Sequence, residues 1–96
     1  MFKELEDRDV SILVNNVGCT FFGKFEAHQI KDCMSQVNVN INAQTYMTRF
    51  LLPKLLKRER SAIVDISSCL AVQDGNENLP VYTATKAYNR AFSQSI

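Results

Sequence analysis

Two short, nearly continuous apolar runs mark the chain, Val10–Val14 (VSILV) and Ala62–Ile66 (AIVDI). Both are rich in β-branched residues and lack a clean alternation with polar ones, which predicts strands buried on both faces. Between them the period lengthens. From about Glu26 to Arg58, Val37, Ile41, Thr45 and Thr48, then Leu51, Leu52 and Leu55, recur at spacings of three and four. That spacing predicts a long amphipathic helix. Pro53 is expected to kink it or to start a new turn. Lys54, Lys57, Arg58 and Arg60 crowd its end, where cations pair with the dipole of the helix C-terminus. Pro80 can open a second helix at its first turn, and Val81–Ile96 carries Ala84, Tyr88, Ala91 and Phe92 at the same spacing. Phe2–Arg8 is charged and helix-compatible. Gly18–Lys24 and Ser67–Leu79 read as loops, the second holding Asp74-Gly75-Asn76.

The order is strand, long helix, strand, long helix, the pattern of right-handed βαβ units with a parallel sheet. Two strands do not make a parallel sheet that stands alone. The fold class is therefore α/β, a strand-helix-strand-helix slice of a larger doubly wound sheet. A length of 96 residues allows one small domain at most. A hydrophobic content of 46% excludes a disordered tail. Eleven basic against ten acidic residues give a net charge of +1, which argues against a nucleic-acid footprint. The densest apolar patch, Phe50–Leu56, is broken by Pro53 and Lys54 and is too short to span a membrane. Met1 is followed by Phe-Lys-Glu-Leu-Glu-Asp, not by the pattern of a secretory signal. The three cysteines, Cys19, Cys33 and Cys69, show no CxxC spacing. Neither a disulfide framework nor a zinc site is expected, and the compartment reads as reducing. Gly18, Gly23 and Gly75 cannot make a GxGxxG. Gly18 and Gly23-Lys24 have P-loop spacing, but Phe25 stands where a magnesium-binding Ser or Thr is needed.

Four polar features fall at the carboxyl ends of the predicted strands or on the helices that follow, where open α/β sheets bind ligands. Asn15-Asn16-Val17-Gly18 follows the first strand. Its asparagine amides can tie strand ends together, and Gly18 admits close backbone approach or a positive φ. The same residues also suit an ordinary polar turn. Asn38, Asn40 and Asn42 lie within five residues of the first helix. Asparagine is a poor helix former, so one of them can break the ladder and expose a carbonyl. Alternatively, they line a solvated face. Ser67-Ser68 follows the second strand, where a hydroxyl can hydrogen-bond a substrate carbonyl or simply shape the turn. Tyr82 and Lys86 share a helix face at i and i+4. An ammonium beside the phenol stabilises phenolate and lets the tyrosine act as a general acid or base. A lone YxxxK also arises by chance on surface helices. His28 reads as a surface helix residue without triad partners, and Asp65 as a partly buried strand carboxylate with a backbone partner.

Together, in this order, the four features resemble the short-chain dehydrogenase/reductase family over nearly the whole chain. The texts ILVNNVG, ISS and Thr85-Lys86-Ala87 with Phe92-Ser93 are most similar to the branch of 17β-hydroxysteroid dehydrogenases and very-long-chain 3-ketoacyl-CoA reductases. The resemblance implies a Rossmann-type fold, with residues 1–96 as a partial NAD(P)-binding domain. It implies that Tyr82 is the catalytic acid/base, and that Lys86 lowers its pKa and binds the nicotinamide ribose. Ser68 polarises the substrate carbonyl, and Asn40 supports a proton-relay water leading to the lysine. Asn16 and Gly18 lie on the cofactor side. The implied cofactor is NADP(H) in preference to NAD(H), and the substrate a lipid-like ketone or secondary alcohol, a steroid or a 3-ketoacyl-CoA.

Two departures from the family pattern stand out. Ser68 and Tyr82 are fourteen residues apart, one more than the family usually shows, and the extra residue is placed in the Gln73–Asn78 loop. The glycine-rich TGxxxGxG turn has no match, nor have the segments that close the substrate pocket, so the 96 residues alone are expected to be inactive. The resemblance further implies an intracellular protein, at the endoplasmic reticulum or otherwise in the cytoplasm, with any membrane attachment in segments outside these residues. It also implies a homodimer through the two long helices. A second reading is a truncated, non-catalytic chain that keeps only that helical surface.

Overall fold

The structure, a computed structural model, describes residues 2–96. The elements run α1 (Phe2–Leu5), β1 (Ile12–Asn15), α2 (Ile30–Val37), α3 (Ala43–Leu55), β2 (Ala62–Asp65) and α4 (Pro80–Ser95). The two strands pair in parallel, with Ile12 opposite Ala62 and Asn15 opposite Asp65. They begin and end within two residues of the apolar runs that predict them. The Rossmann-type α/β class is as expected.

Alternation in the strands decides which face is covered. Leu13 and Ile63 point toward α3 and join Leu51 and Leu55, both 2% exposed, in a small apolar core ringed by Val10, Met47 and Phe50. Ile12, Val14, Val64 and Ile66 point the other way and are 42–60% exposed. The strands are thus covered on one face only, not on both. Apolar side chains on the bare face are what a doubly wound sheet carries where further helices pack.

The predicted helix from Glu26 to Arg58 is four pieces. A 3₁₀ turn at Phe25–Ala27 gives way to extended backbone at His28 and Gln29. Then α2 leads through a π-turn at Asn38–Asn42 into α3. The three asparagines break the ladder as their poor helix propensity predicts. Pro53 lies inside α3, which ends at Leu55 with Leu56 as its cap. Lys54 does not serve its own helix end: its Nζ donates to the carbonyls of Leu5 (2.9 Å) and Glu6, at the end of α1. Arg58 pairs with Asp9. Phe2 stacks on Phe50 with ring centroids 4.8 Å apart, so α1 is pinned from both sides.

The buried faces of the helices are not the apolar ones. Along α2, the π-turn and α3 the buried stripe begins Gln36, Asn40, Gln44, Thr48 before it reaches Leu51 and Leu55. On α4 it is Thr83, Thr85, Lys86 and Asn89. The predicted stripe of Val37, Ile41, Ala84 and Tyr88 instead lines an open apolar groove with Phe25 and Val81. Hydropathy spacing finds an amphipathic helix but not which side faces its neighbour. Here hydrogen bonding decides that. No helix among the described residues is long and apolar enough to cross a membrane. Nor is there among them a cluster of three or more His, Cys, Asp or Glu placed to hold a metal ion.

Candidate active site

The carboxyl ends of β1 and β2 lie side by side, and Asn15 joins them. Its Nδ2 donates to Asp65 Oδ1 at 2.7 Å and to Thr48 Oγ1 at 3.0 Å. One amide thus ties both strands to α3. Asp65 has a side-chain partner rather than the expected backbone one, and its Oδ2 is buried with no protein partner. Asn16, the next residue, is exposed.

Past the strand ends, the loop after Gly18 crosses the π-turn. Asn40 is 1% exposed. Its Oδ1 accepts from the Cys19 N–H at 2.8 Å. Its Nδ2 donates to Cys19 O and to Thr85 Oγ1, each at 2.9 Å. Both amide protons and the carbonyl are therefore used, and the peptide of Cys19 is held on both sides. The Asn40 carbonyl accepts from Asn89 Nδ2 at 2.6 Å.

Lys86 reaches the same point from α4. It is 5% exposed, with Nζ 3.4 Å from Ile66 O and 5.6 Å from the centroid of the Tyr82 ring, over whose face it lies. The ammonium therefore meets the ring face and a strand-end carbonyl, not a hydrogen bond to the phenol. Burial pushes its pKa below the ordinary 10.5, because the charged form loses water. A Cβ at Gly18 would stand 3.4 Å from Lys86 Nζ and 3.6 Å from Asn40 Oδ1, ordinary van der Waals contacts, so the position adjoins both side chains without requiring glycine for space. Its backbone is not in the positive-φ region, which Gly23 and Gly75 occupy instead.

The serines differ in what is left of their donors. Ser67 Oγ donates to Lys86 O at 2.8 Å, which spends its one proton. Ser68 caps a 3₁₀ turn by accepting from Leu70 N at 3.2 Å, and its own O–H stays free. Tyr82 is half-buried. His28 is not a helix surface residue: it is half-buried in the extended link before α2, with Nε2 3.0 Å from Gly23 O. Gly18, Asn40, Tyr82 and Lys86 thus come together at one end of the sheet, while Asn16 is exposed.

A family model described as short chain dehydrogenase matches residues 2–96. The chain belongs to the short-chain dehydrogenase family. A very-long-chain 3-oxoacyl-CoA reductase-like protein of Arabidopsis thaliana is 41% identical over 91 residues, which is 92% of this chain and 29% of that protein. The inactive hydroxysteroid dehydrogenase-like protein 1 of Homo sapiens is 36% identical over 99 residues, 98% of this chain and 29% of that protein. Among solved structures, a 3-oxoacyl (acyl-carrier-protein) reductase of Agrobacterium tumefaciens with NADP bound superposes with a TM-score of 0.88. It is 27% identical and covers 98% of this chain and 36% of that one. The chain spans about 29% of the length of these two curated relatives.

Within this short-chain dehydrogenase segment the residues read too lightly from sequence are Asn15, Gln44, Thr85 and Asn89. Each is buried or half-buried and bonded to another element. A signal was present. Gln36, Asn40, Gln44 and Thr48 repeat every four residues, a polar stripe as regular as the apolar one beside it.

Proposed function

We propose that residues 1–96 form the central catalytic segment of a larger Rossmann-type NAD(P)-binding domain. The complete protein would interconvert a ketone and a secondary alcohol on a lipid-like substrate, a steroid or a 3-ketoacyl-CoA. The observation that carries this reading is the buried Lys86 ammonium, set between Gly18 and the face of Tyr82 with one long hydrogen bond to Ile66 O. An ammonium has three protons to donate, so Lys86 retains donors for the ribose hydroxyls of a nicotinamide cofactor. The bare apolar face of the sheet supports a larger domain.

In this reading Tyr82 gives a proton to the carbonyl oxygen during reduction, and Lys86 favours the phenolate that results. Ser68, whose O–H is free, polarises the carbonyl; Ser67 is already committed to Lys86 O. Asn40 holds the Gly18–Cys19 backbone against the lysine and supports a water leading to it. Asn16 and Gly18 face the cofactor. Bound nicotinamide supplies or accepts the hydride, with NADP(H) preferred over NAD(H). The pyrophosphate is assigned to a glycine-rich turn outside these residues. The groove of Val37, Ile41, Ala84 and Tyr88 is assigned to a homodimer contact. Endoplasmic reticulum residence, with attachment through other segments, follows the same branch.

A non-catalytic role is the second reading. The name of the human relative, which describes it as inactive, favours it, as does the outward apolar groove. The two readings separate on one variant. In the full-length protein, Tyr82→Phe should lower turnover by about 10²–10⁴-fold while NADPH binding is retained. Undiminished turnover in that variant would remove the catalytic assignment, and a wild-type protein that binds no NADPH would favour the second reading.

A further inference from the structure

The π-turn that carries Asn40 is held from outside its own helix. A π-turn closes i→i+5 bonds and fits an extra residue into one helical turn, an arrangement rare enough to point to a functional cause. Here the Ala43 N–H bonds Asn38 O, and the Asn40 carbonyl is met across the helix interface by Asn89 Nδ2 at 2.6 Å. The second proton of the same amide goes to Gln44 Oε1, so both donors of Asn89 are used. Asn89 and Gln44 are 3% and 4% exposed.

We propose that Asn89 is a positioning residue for the reaction assigned to Tyr82 and Lys86: it fixes the Asn40 peptide, and through the Asn40 side chain the Gly18–Cys19 backbone that walls the Lys86 ammonium. The proposal rests on the catalytic reading above. The linkage is continuous. Asn89 holds the carbonyl of Asn40, and the Asn40 amide holds both the N–H and the carbonyl of Cys19. Gly18, one residue before, leaves only van der Waals room beside Lys86 Nζ. Asn89 follows Lys86 by three residues on α4, so a single helix presents the ammonium and sets the wall it faces. Packing alone does not call for this amide. An apolar pair at positions 44 and 89 would fill the interface and would not leave Gln44 Nε2 buried without a partner, as it now is. What the amide adds is the orientation of the Asn40 peptide.

The test uses the full-length protein. Asn89→Leu should lower kcat about 10- to 100-fold, the scale of a small misplacement at a reacting centre, with KM for NADPH nearly unchanged. It should also lower Tm, because Asn40 O and Gln44 Oε1 lose their partner. The double variant Gln44→Leu/Asn89→Leu separates packing from positioning. Replacing both partners of the Asn89–Gln44 bond by apolar groups is nearly neutral for stability, so Tm should regain the part owed to Gln44 Oε1 while Asn40 O stays without its donor and kcat stays low. Recovery of kcat together with Tm overturns the proposal. Amide exchange adds an arm that needs no turnover. In the double variant the Cys19 N–H should exchange at least about 10-fold faster, with the amides of Leu51 and Leu55 unchanged, as expected of a local opening. Unchanged Cys19 exchange overturns the proposal. A wild-type protein without turnover, but with faster Cys19 exchange in the variant, sinks the oxidoreductase reading and leaves the link from Asn89 to Cys19 supported.

Discussion

At its carboxyl end α3 turns Leu51 and Leu55 onto Leu13, with Val10, Met47, Phe50 and Ile63 around them. Toward its start the same face continues as Thr48 and Gln44, then through the π-turn to Asn40 and back to Gln36, buried just as deeply. The leucine end needs only volume. The amide end needs every donor and acceptor matched, and it falls short: Gln36 Oε1, Gln44 Nε2, Asp65 Oδ2 and Thr83 Oγ1 are buried without a protein partner. Each such group costs about 1–3 kcal/mol relative to a paired one. One helical run, from Gln36 to Leu55, thus serves two purposes. One end holds the sheet, and the other buries polar side chains, some of them unpartnered, that stability alone would not select.

The largest expected effect lies at the leucine end. Leu51→Ala should destabilise by about 2–5 kcal/mol, the range for a buried leucine truncated in a packed core. Chemical denaturation measures it, and turnover per folded molecule should be unchanged. A cost below about 1 kcal/mol would mean the site collapses freely and that the leucine end does not hold the sheet.

A smaller effect is expected where the two regions meet, at Asn15. Asn15→Ala leaves Asp65 Oδ1 and the Thr48 hydroxyl without this donor, at about 1–3 kcal/mol. Asn15→Leu combined with Asp65→Leu should recover most of that loss, as paired apolar replacement does. If the double variant is no more stable than Asn15→Ala in denaturant titration, the strand ends depend on something other than this bond.

Most of the fold was legible because strands announce themselves by short β-branched runs and helices by spacing. Ile12–Asn15 and Ala62–Asp65 nearly coincide with VSILV and AIVDI, and Pro80 marks the start of α4. The break in the long helix was legible from three asparagines in five residues. The orientation of the helices was not. Val37, Ile41, Ala84 and Tyr88 look like a core face, yet Asn40, Gln44, Lys86 and Asn89 turn inward because each finds a partner or a site there. Spacing carries no information about hydrogen-bond partners distant in sequence, such as Asn40 and Thr85. For the same reason the motif singles out Asn16 and not Asn15: Asn15 ties the strands, and Asn16 is exposed. The motif order from NNVG to YxxxK points to Asn16, Gly18, Asn40, Ser68, Tyr82 and Lys86; of these, Gly18, Asn40, Tyr82 and Lys86 adjoin one another, Ser68 shapes the turn after β2, and Asn16 is exposed.

Whether the amide end is a site rather than a core is decided by Lys86→Met in the full-length protein. Unfolding and NADPH titration are measured on the same variant. Burial lowers the folded-state pKa of Lys86 below 10.5. The charged form therefore opposes folding at neutral pH, and that opposition fades as pH rises from the lowered value toward the ordinary one. Methionine carries no charge to bury. The variant should be as stable as wild type or more so at pH 7, with its advantage narrowing toward pH 10, and its NADPH affinity should fall at least about 10-fold, the loss of roughly one charged hydrogen bond. A variant that is less stable at pH 7 and binds NADPH as tightly as wild type would contradict the account.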